Sequence, residues 1–167
     1  MAAVYPERRQ WLTDNLMSGG IFDYTSIHIG TIRGLKLWAH SSDDFTPSKE
    51  EVDTIMRACE SMINPYSVDI AGQTYWLPGW SIHHPEWLDD GLFHGRREDN
   101  GGAFCLVANV GNEQVRRTMG VIAVHSRPPG FIDSTPGDAV LTGEFFEKGE
   151  QLVRDAALAL DKHLWHS

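Results

Sequence analysis

Gly34-Leu-Lys-Leu-Trp-Ala-His-Ser-Ser-Asp-Asp-Phe-Thr-Pro-Ser-Lys-Glu-Glu-Val52 passes from a strand-like segment, with a tryptophan at its centre, through a small polar loop into a helix start. Leu35 to Ala39 follows the turn-forming pair Arg33-Gly34, and Tyr24 to Gly30 before it alternates in polarity, so the two segments read as a hairpin. Thr46-Pro47 supplies a cap followed by proline, and Ser48 with Glu51 has the spacing of a capping box, in which each residue satisfies the other's backbone N–H. Val52, Ile55, Met56, Cys59, Met62 and Ile63 then recur at i, i+3, i+4, i+7, i+10 and i+11, one apolar stripe of a helix. A strand tryptophan such as Trp38 ordinarily fills a core.

Toward the N-terminus, residues 6–18 open on Pro6, carry Trp11, Leu12 and Leu16 on one side and stop at Gly19-Gly20, which predicts a short helix. Toward the C-terminus, Ser67 to Ile70 and Gln73 to Leu77 flank Ala71-Gly72 as a second hairpin. Residues 78–102 break the pattern with Pro, Gly, His83-His84, Asp89-Asp90 and Arg96-Arg97, and read as a long loop of the kind that carries function or disorder. Phe104 to Val110 and Met119 to His125 return as an antiparallel pair, and a Pro/Gly-rich segment, 127–143, precedes the last element. That element, about 144–165, places Leu152, Val153, Ala156, Ala157, Leu160 and Leu164 on one helical stripe. Helices and strand pairs follow one another without βαβ alternation or internal repeat, so the expected class is an antiparallel α+β domain.

Length and charge narrow the function. A chain of 167 residues is expected to form one domain, 1–167, with enough core to need no staples. No run approaches the roughly 20 apolar residues of a membrane span, and no secretory pattern opens the sequence, which predicts a cytoplasmic protein. A net charge of −9 disfavours nucleic acid and acidic membrane surfaces as partners. Cys59 and Cys105 lie far apart without CxxC spacing and read as buried thiols. His83, His84 and His94 lack HExxH or helical i, i+4 spacing and read as surface loop residues; no metal site or cofactor is expected. Nor is there a GxSxG, Walker or GxGxxG pattern, so no catalytic site is predicted.

The element order and four stretches together resemble profilin, the actin-monomer-binding family. Gln10-Trp-Leu-Thr-Asp-Asn-Leu-Met17 is similar to its first helix, and Leu37-Trp-Ala-His-Ser-Ser42 with Phe45 and Pro47-Ser-Lys-Glu-Glu51 to its strand, loop and helix start. Ile70-Ala-Gly-Gln-Thr-Tyr75 resembles its glycine-containing hairpin, and Asp161-Lys-His-Leu164 the end of its last helix. The similarity covers roughly 7–77, 102–125 and the last helix, and leaves about 78–101 and 127–143 as insertions.

The resemblance implies a central antiparallel sheet with both terminal helices on one face and a further helix on the other. It implies a groove for proline-rich peptides where the terminal helices meet the strand tryptophan. Trp11, Trp38 and His163 match groove positions; Arg8 stands where many members have an aromatic, and Tyr5 and Trp165 are candidates to make up for it. Polyproline II ligands suit such a groove because they have little entropy left to lose and present flat rings and unpaired carbonyls. The resemblance also implies an actin-facing side on the later strands and the start of the last helix, where Arg116, Arg117 and Arg154, with Arg96 and Arg97 in the long loop, are the candidates. The implied partners are monomeric actin and proline-rich proteins such as formins, with weak phosphoinositide binding, and the expected state is a cytoskeletal, non-enzymatic monomer. Two alternatives remain: a proline-peptide module without actin binding, and a small-ligand sensor or enzyme on a similar scaffold using the histidine loop.

Overall fold

In the computed structural model the described residues are 5–31, 33–61, 67–76, 82–83, 91–99, 101–126 and 143–166. Helix α1, Pro6–Leu12, starts on proline with the Tyr5 carbonyl accepting from the backbone N–H of Arg8 and Arg9, and passes into a wider π-type turn over Thr13–Met17. Strands β1 (Tyr24–Thr31) and β2 (Gly34–His40) form the expected first hairpin, and α2 spans Lys49–Ser61. The second hairpin is β3 (Ser67–Ile70) and β4 (Gln73–Trp76), turned by Ala71 and Gly72. Both turn residues have positive φ, 51° and 84°, the backbone a two-residue hairpin demands and glycine adopts without steric cost. Then come β5 (Ile82–His83), β6 (Gly91–Arg96), β7 (Gly102–Gly111), β8 (Arg116–His125) and α3 (Gly143–Trp165).

The strands make one antiparallel sheet in the order β2-β1-β8-β7-β6-β4-β3, with β5 paired to β6. Its two faces are covered separately. On one, α1, the π-turn and α3 bury Leu12, Leu16, Val153, Ala156 and Leu160 against Ile27, Phe104, Leu106 and Val121. On the other, α2 buries Val52, Ile55 and Met56 against Val68, Ile70, Tyr75, Phe93 and Val107. The expected fold class, an antiparallel sheet with both terminal helices on one face and a further helix on the other, is what the chain adopts. Among the described residues no helix is long and apolar enough to cross a membrane.

The α2 start shows how a local signal becomes a tertiary one. Ser48 Oγ accepts from the Glu51 N–H at 3.1 Å, and Glu51 Oε1 accepts from the Ser48 N–H at 2.8 Å, so Ser48 rather than Thr46 is the cap. Thr46 Oγ1 lies instead 3.1 Å from His40 Nδ1. The Glu51 carboxylate also accepts from the backbone N–H of Ala71 (2.9 Å) and of Gly72 (3.1 Å), which pins the β3–β4 turn to the helix start. Removing it orphans donors in two elements. We expect Glu51→Ala to cost about 2–3 kcal/mol, since hydrogen bonds to a charged group are worth about 1.5–3 kcal/mol, and Ser48→Ala only about 1 kcal/mol. Urea unfolding of both variants checks the order; equal losses would show that the turn contact contributes nothing.

One expectation is corrected. Residues 78–102 are not loop throughout, because Gly91–Arg96 is a strand in the interior of the sheet, paired to β7 from Gly91↔Val107 to Arg96↔Gly102. Its glycines and histidine carry little strand propensity, and burial of Gly91 to Gly95 on both faces erases the alternation that marks an exposed strand. The residues are set by proximity: a Cβ on Gly102 would stand 2.6 Å from the Nε2 of His94 and 2.5 Å from the Gly95 carbonyl. Trp80, Trp87, His84, the side chain of His83 and the 127–142 part of the second insertion lie outside the described residues, as does the side chain of Cys59. Cys105 is buried.

Candidate aromatic groove at the joined termini

Trp38 owes its position to a break in pairing. Along β1, Ile27 faces Ala39 but the next residue, His28, faces Leu37, so Trp38 is an extra residue with no partner of its own. A bulge of this kind puts two successive side chains on one side of a strand. Trp38 and Ala39 both pack on the terminal-helix face, although strict alternation would have sent one of them to the α2 side.

Helix α1 crosses β2 at this point and is fastened there by its arginines. Arg9 donates from Nε to the His40 carbonyl at 3.0 Å and from Nη2 to Asp43 Oδ1 at 2.7 Å, while Arg8 Nη1 reaches the Trp38 carbonyl at 3.5 Å. Arg9, in hydrogen bond and ion pair, holds the Asp43 carboxyl below the usual carboxylate range. Leu12 is fully buried beneath the helix, which leaves the neighbouring Trp11 partly exposed at its flank. The indole of Trp11 meets that of Trp38 edge-on, centroids 5.9 Å apart and planes at 86°.

Helix α3 completes the strip from the far end of the chain. The His163 ring stacks on Trp11 at 6.3 Å and 28°, and Trp165 is partly buried against the same cluster. The end of α3 is held by Asp161 Oδ1, which accepts from the Gly111 N–H at 2.9 Å, and by the His166 ring, which donates from Nε2 to the Gly111 carbonyl at 2.7 Å. Tyr5, 46% exposed, extends the strip on the other side through Arg8, whose guanidinium carbon lies 4.2 Å from the Tyr5 ring centroid and 5.3 Å from that of Trp38. Tyr5, Arg8, Trp38, Trp11 and His163 therefore form one continuous row of flat groups from both ends of the chain. Such a row offers ring faces for stacking and indole N–H donors for unpaired carbonyls. Arg8, which from sequence looked like a missing aromatic, fills that place with a planar cation. The i, i+3, i+6 spacing of Tyr5, Arg8 and Trp11 was the available signal.

The five arginines expected on a second surface do not come together. Arg116 and Arg117 are exposed at the start of β8, whereas Arg96 and Arg97 stand beside its other end, where Arg97 Nη2 donates to the His125 carbonyl at 3.2 Å. The strand between spans about 30 Å at a rise of about 3.3 Å per residue. Arg97 is further tied to Asp99 (3.0 Å) and the Tyr75 hydroxyl (3.3 Å). Arg154 is buried, its guanidinium paired to Glu150 at 3.1 Å.

His94 is not a loop residue. It is buried on the terminal-helix face, stacked on His125 at 5.1 Å with Nε2 to Nε2 at 2.8 Å, beside Phe104 and beneath α3. His125 Nδ1 lies 2.7 Å from the Ser126 carbonyl, an acceptor only, so it carries the proton there. Its Nε2 is then the acceptor, and His94 donates from Nε2. Among the described residues no group of three or more His, Cys, Asp or Glu is placed to hold a metal ion.

No protein-family model and no curated protein matches the sequence. Among solved structures, the chain is similar to one in the crystal structure of a complex of LokiProfilin1 with rabbit actin, at 13% identity and a TM-score of 0.55, over 97% of this chain and 100% of that one. Identity that low carries no residue-by-residue argument, but it leaves the likeness of path. In its strand order, its two separately covered faces and the side-by-side placement of its terminal helices, this chain has a profilin-like fold.

Proposed function

We propose that this protein binds monomeric actin and, through the groove where its termini meet, proline-rich segments of other proteins. The observation that carries the second half is the row Trp38–Trp11–His163, three rings from three separate elements on one accessible strip. Support for the first half comes from the fold, shared over nearly the whole chain with a structure solved together with actin. Of the arginines assigned to the actin-facing side, Arg116 and Arg117 are exposed and Arg96, Arg97 and Arg154 are partly or wholly buried, so the reading keeps the first two. Bound actin would release nucleotide faster only if the protein has greater affinity for the open cleft than for the closed one. Phosphoinositide binding is proposed to be weak, because the chain is acidic overall.

Two titrations separate the halves. Pyrene-labelled monomeric actin with the protein at tens of micromolar should polymerise more slowly and exchange nucleotide at a changed rate; no change in either would overturn the actin reading. Oligoproline should alter the tryptophan fluorescence, and Trp38→Ala should weaken that binding by at least tenfold while leaving the actin effect in place. A response to oligoproline with none to actin would identify a peptide-binding module on this fold.

A further inference from the structure

We propose that the groove selects proline-rich segments that carry a carboxylate at one end of the proline run, and that Arg8 is the residue that reads it. The inference rests on the groove reading above and goes further, to the chemistry of the ligand.

Arg8 and Arg9 are neighbours in the same helix with opposite fates. Arg9 uses Nε and Nη2 on the His40 carbonyl and the Asp43 carboxylate. Among the described residues the Arg8 side chain makes a single hydrogen bond, at 3.5 Å the limit of such a contact, and pairs with no carboxylate. Its guanidinium is instead held over the Tyr5 and Trp38 rings. Ring contact of this kind orients the plane of a guanidinium and leaves the donors on its edge unused, the arrangement that receives a carboxylate in two parallel hydrogen bonds.

A proline ligand laid along the strip would cover this half-buried cation. A proline run offers Arg8 only neutral backbone carbonyls in place of the water it displaces, whereas an Asp or Glu in register gives a charge-assisted pair, which is about twice as strong. Lys36 pairs with Ile29 on the terminal-helix face of the edge strand, and Lys162 precedes His163 in the last turn of α3; both lysines are exposed. Glu7 and Asp14, both exposed, lie on the same helical stretch as Arg8 and Trp11, so charges of both signs stand near the row in sequence, while the Asp43 carboxylate is already paired to Arg9. Arg8 lies at the Tyr5 end of the row, beyond Trp38 from Trp11 and His163, which puts the acidic residue at an end of the proline run rather than within it.

The test uses the full chain and five labelled peptides: ten prolines alone, the same with Glu-Glu at the N-terminal end, with Glu-Glu at the C-terminal end, with Lys-Lys at the N-terminal end and with Lys-Lys at the C-terminal end. Fluorescence anisotropy at low salt should show one acidic peptide binding roughly tenfold more tightly than plain oligoproline and the lysine peptides more weakly, an advantage that shrinks as salt rises. In Arg8→Gln the advantage should vanish, and Arg8→Tyr should bind plain oligoproline more tightly than the unaltered protein does. Equal binding of acidic and plain peptides, or an acidic preference that survives Arg8→Gln in a variant with an unchanged thermal melt, would overturn the inference and leave the groove standing. Failure of every proline peptide to bind would remove both.

Discussion

Between about pH 7 and about pH 5 this protein should lose about 4 kcal/mol of folding stability through two buried histidines alone, about 2 kcal/mol from each. Burial pushes His28 from its ordinary 6.5 down to about 3, helped by nearby His40. His94 is likewise pushed down to about 3, by burial first and then by the charges of His125 and Arg96. In the unfolded chain both rings take up a proton near their ordinary pKa, while in the folded protein they resist until the pH approaches 3. The unfolded state therefore binds more protons throughout that window, and stability falls as pH falls. His125 adds in the same direction: burial lowers it and Arg97 assists, against the Ser126 carbonyl and the carboxylates of Asp23 and Asp99, which raise it. The hydrogen-bond pattern explains why the pair does not simply share a proton. With His125 Nδ1 donating to the Ser126 carbonyl and His94 donating to His125 Nε2, any further proton on His125 places two N–H groups nose to nose at 2.8 Å. Urea unfolding at a series of pH values measures the slope directly. His94→Gln, which keeps a donor at that site, should flatten it by about a third to a half. A profile that is level from neutrality down to about pH 5 would show that these rings are already hydrated in the folded protein.

The second large effect lies between Phe104 and the helix above it. Phe104 is fully buried, touching Phe22, His94 and His125, and Gly149 of α3 passes directly over its ring. A Cβ on Gly149 would stand 2.7 and 2.8 Å from Cε2 and Cζ of that ring. Phe104→Ala should cost about 3–5 kcal/mol, the usual loss for emptying a packed aromatic site. Gly149→Ala is more diagnostic, because the same change within an unobstructed helix stabilises by about 1 kcal/mol through helix propensity. Here it should destabilise by about 1–3 kcal/mol, since the ring has no room to yield. In a Phe104→Leu background the obstruction shrinks, and Gly149→Ala should become neutral or stabilising. A double-mutant cycle by chemical denaturation reads that reversal of sign. If Gly149→Ala stabilises the unaltered protein, α3 does not lie on the sheet as described. Such a result would also loosen the groove, because the same helix carries His163.

The helices were legible in the sequence because their signals are local. Ser48 and Glu51 form the capping box that their spacing announced, and Val153, Ala156, Ala157 and Leu160 line the buried stripe of α3. The Ala71-Gly72 hairpin followed from turn chemistry within two residues. Strand β6 was not legible. His94 and the flanking glycines suit it only because the ring lies over Gly102 on the neighbouring strand, a contact no window of sequence contains. Trp38 is intermediate: its place on a strand was visible, but its direction depends on a bulge in the pairing with Ile27 and His28.

By itself, then, the sequence determined which segments are helix, where the tight hairpins turn and that the chain is an acidic α+β protein, since each of those follows from interactions among residues a few positions apart. Tertiary structure alone decided that Tyr5, Arg8 and Trp11 share a strip with Trp38 and His163, that Arg97 and Arg154 are engaged inside the molecule while Arg116 and Arg117 are exposed at the other end of β8, and that His94 is a buried donor to His125. The physical reason is the same in each case. Strand register, helix contact and burial join residues separated by tens to more than a hundred positions, and it is that company, not the residue's own identity, that sets which way a ring points and whether a histidine can hold a proton.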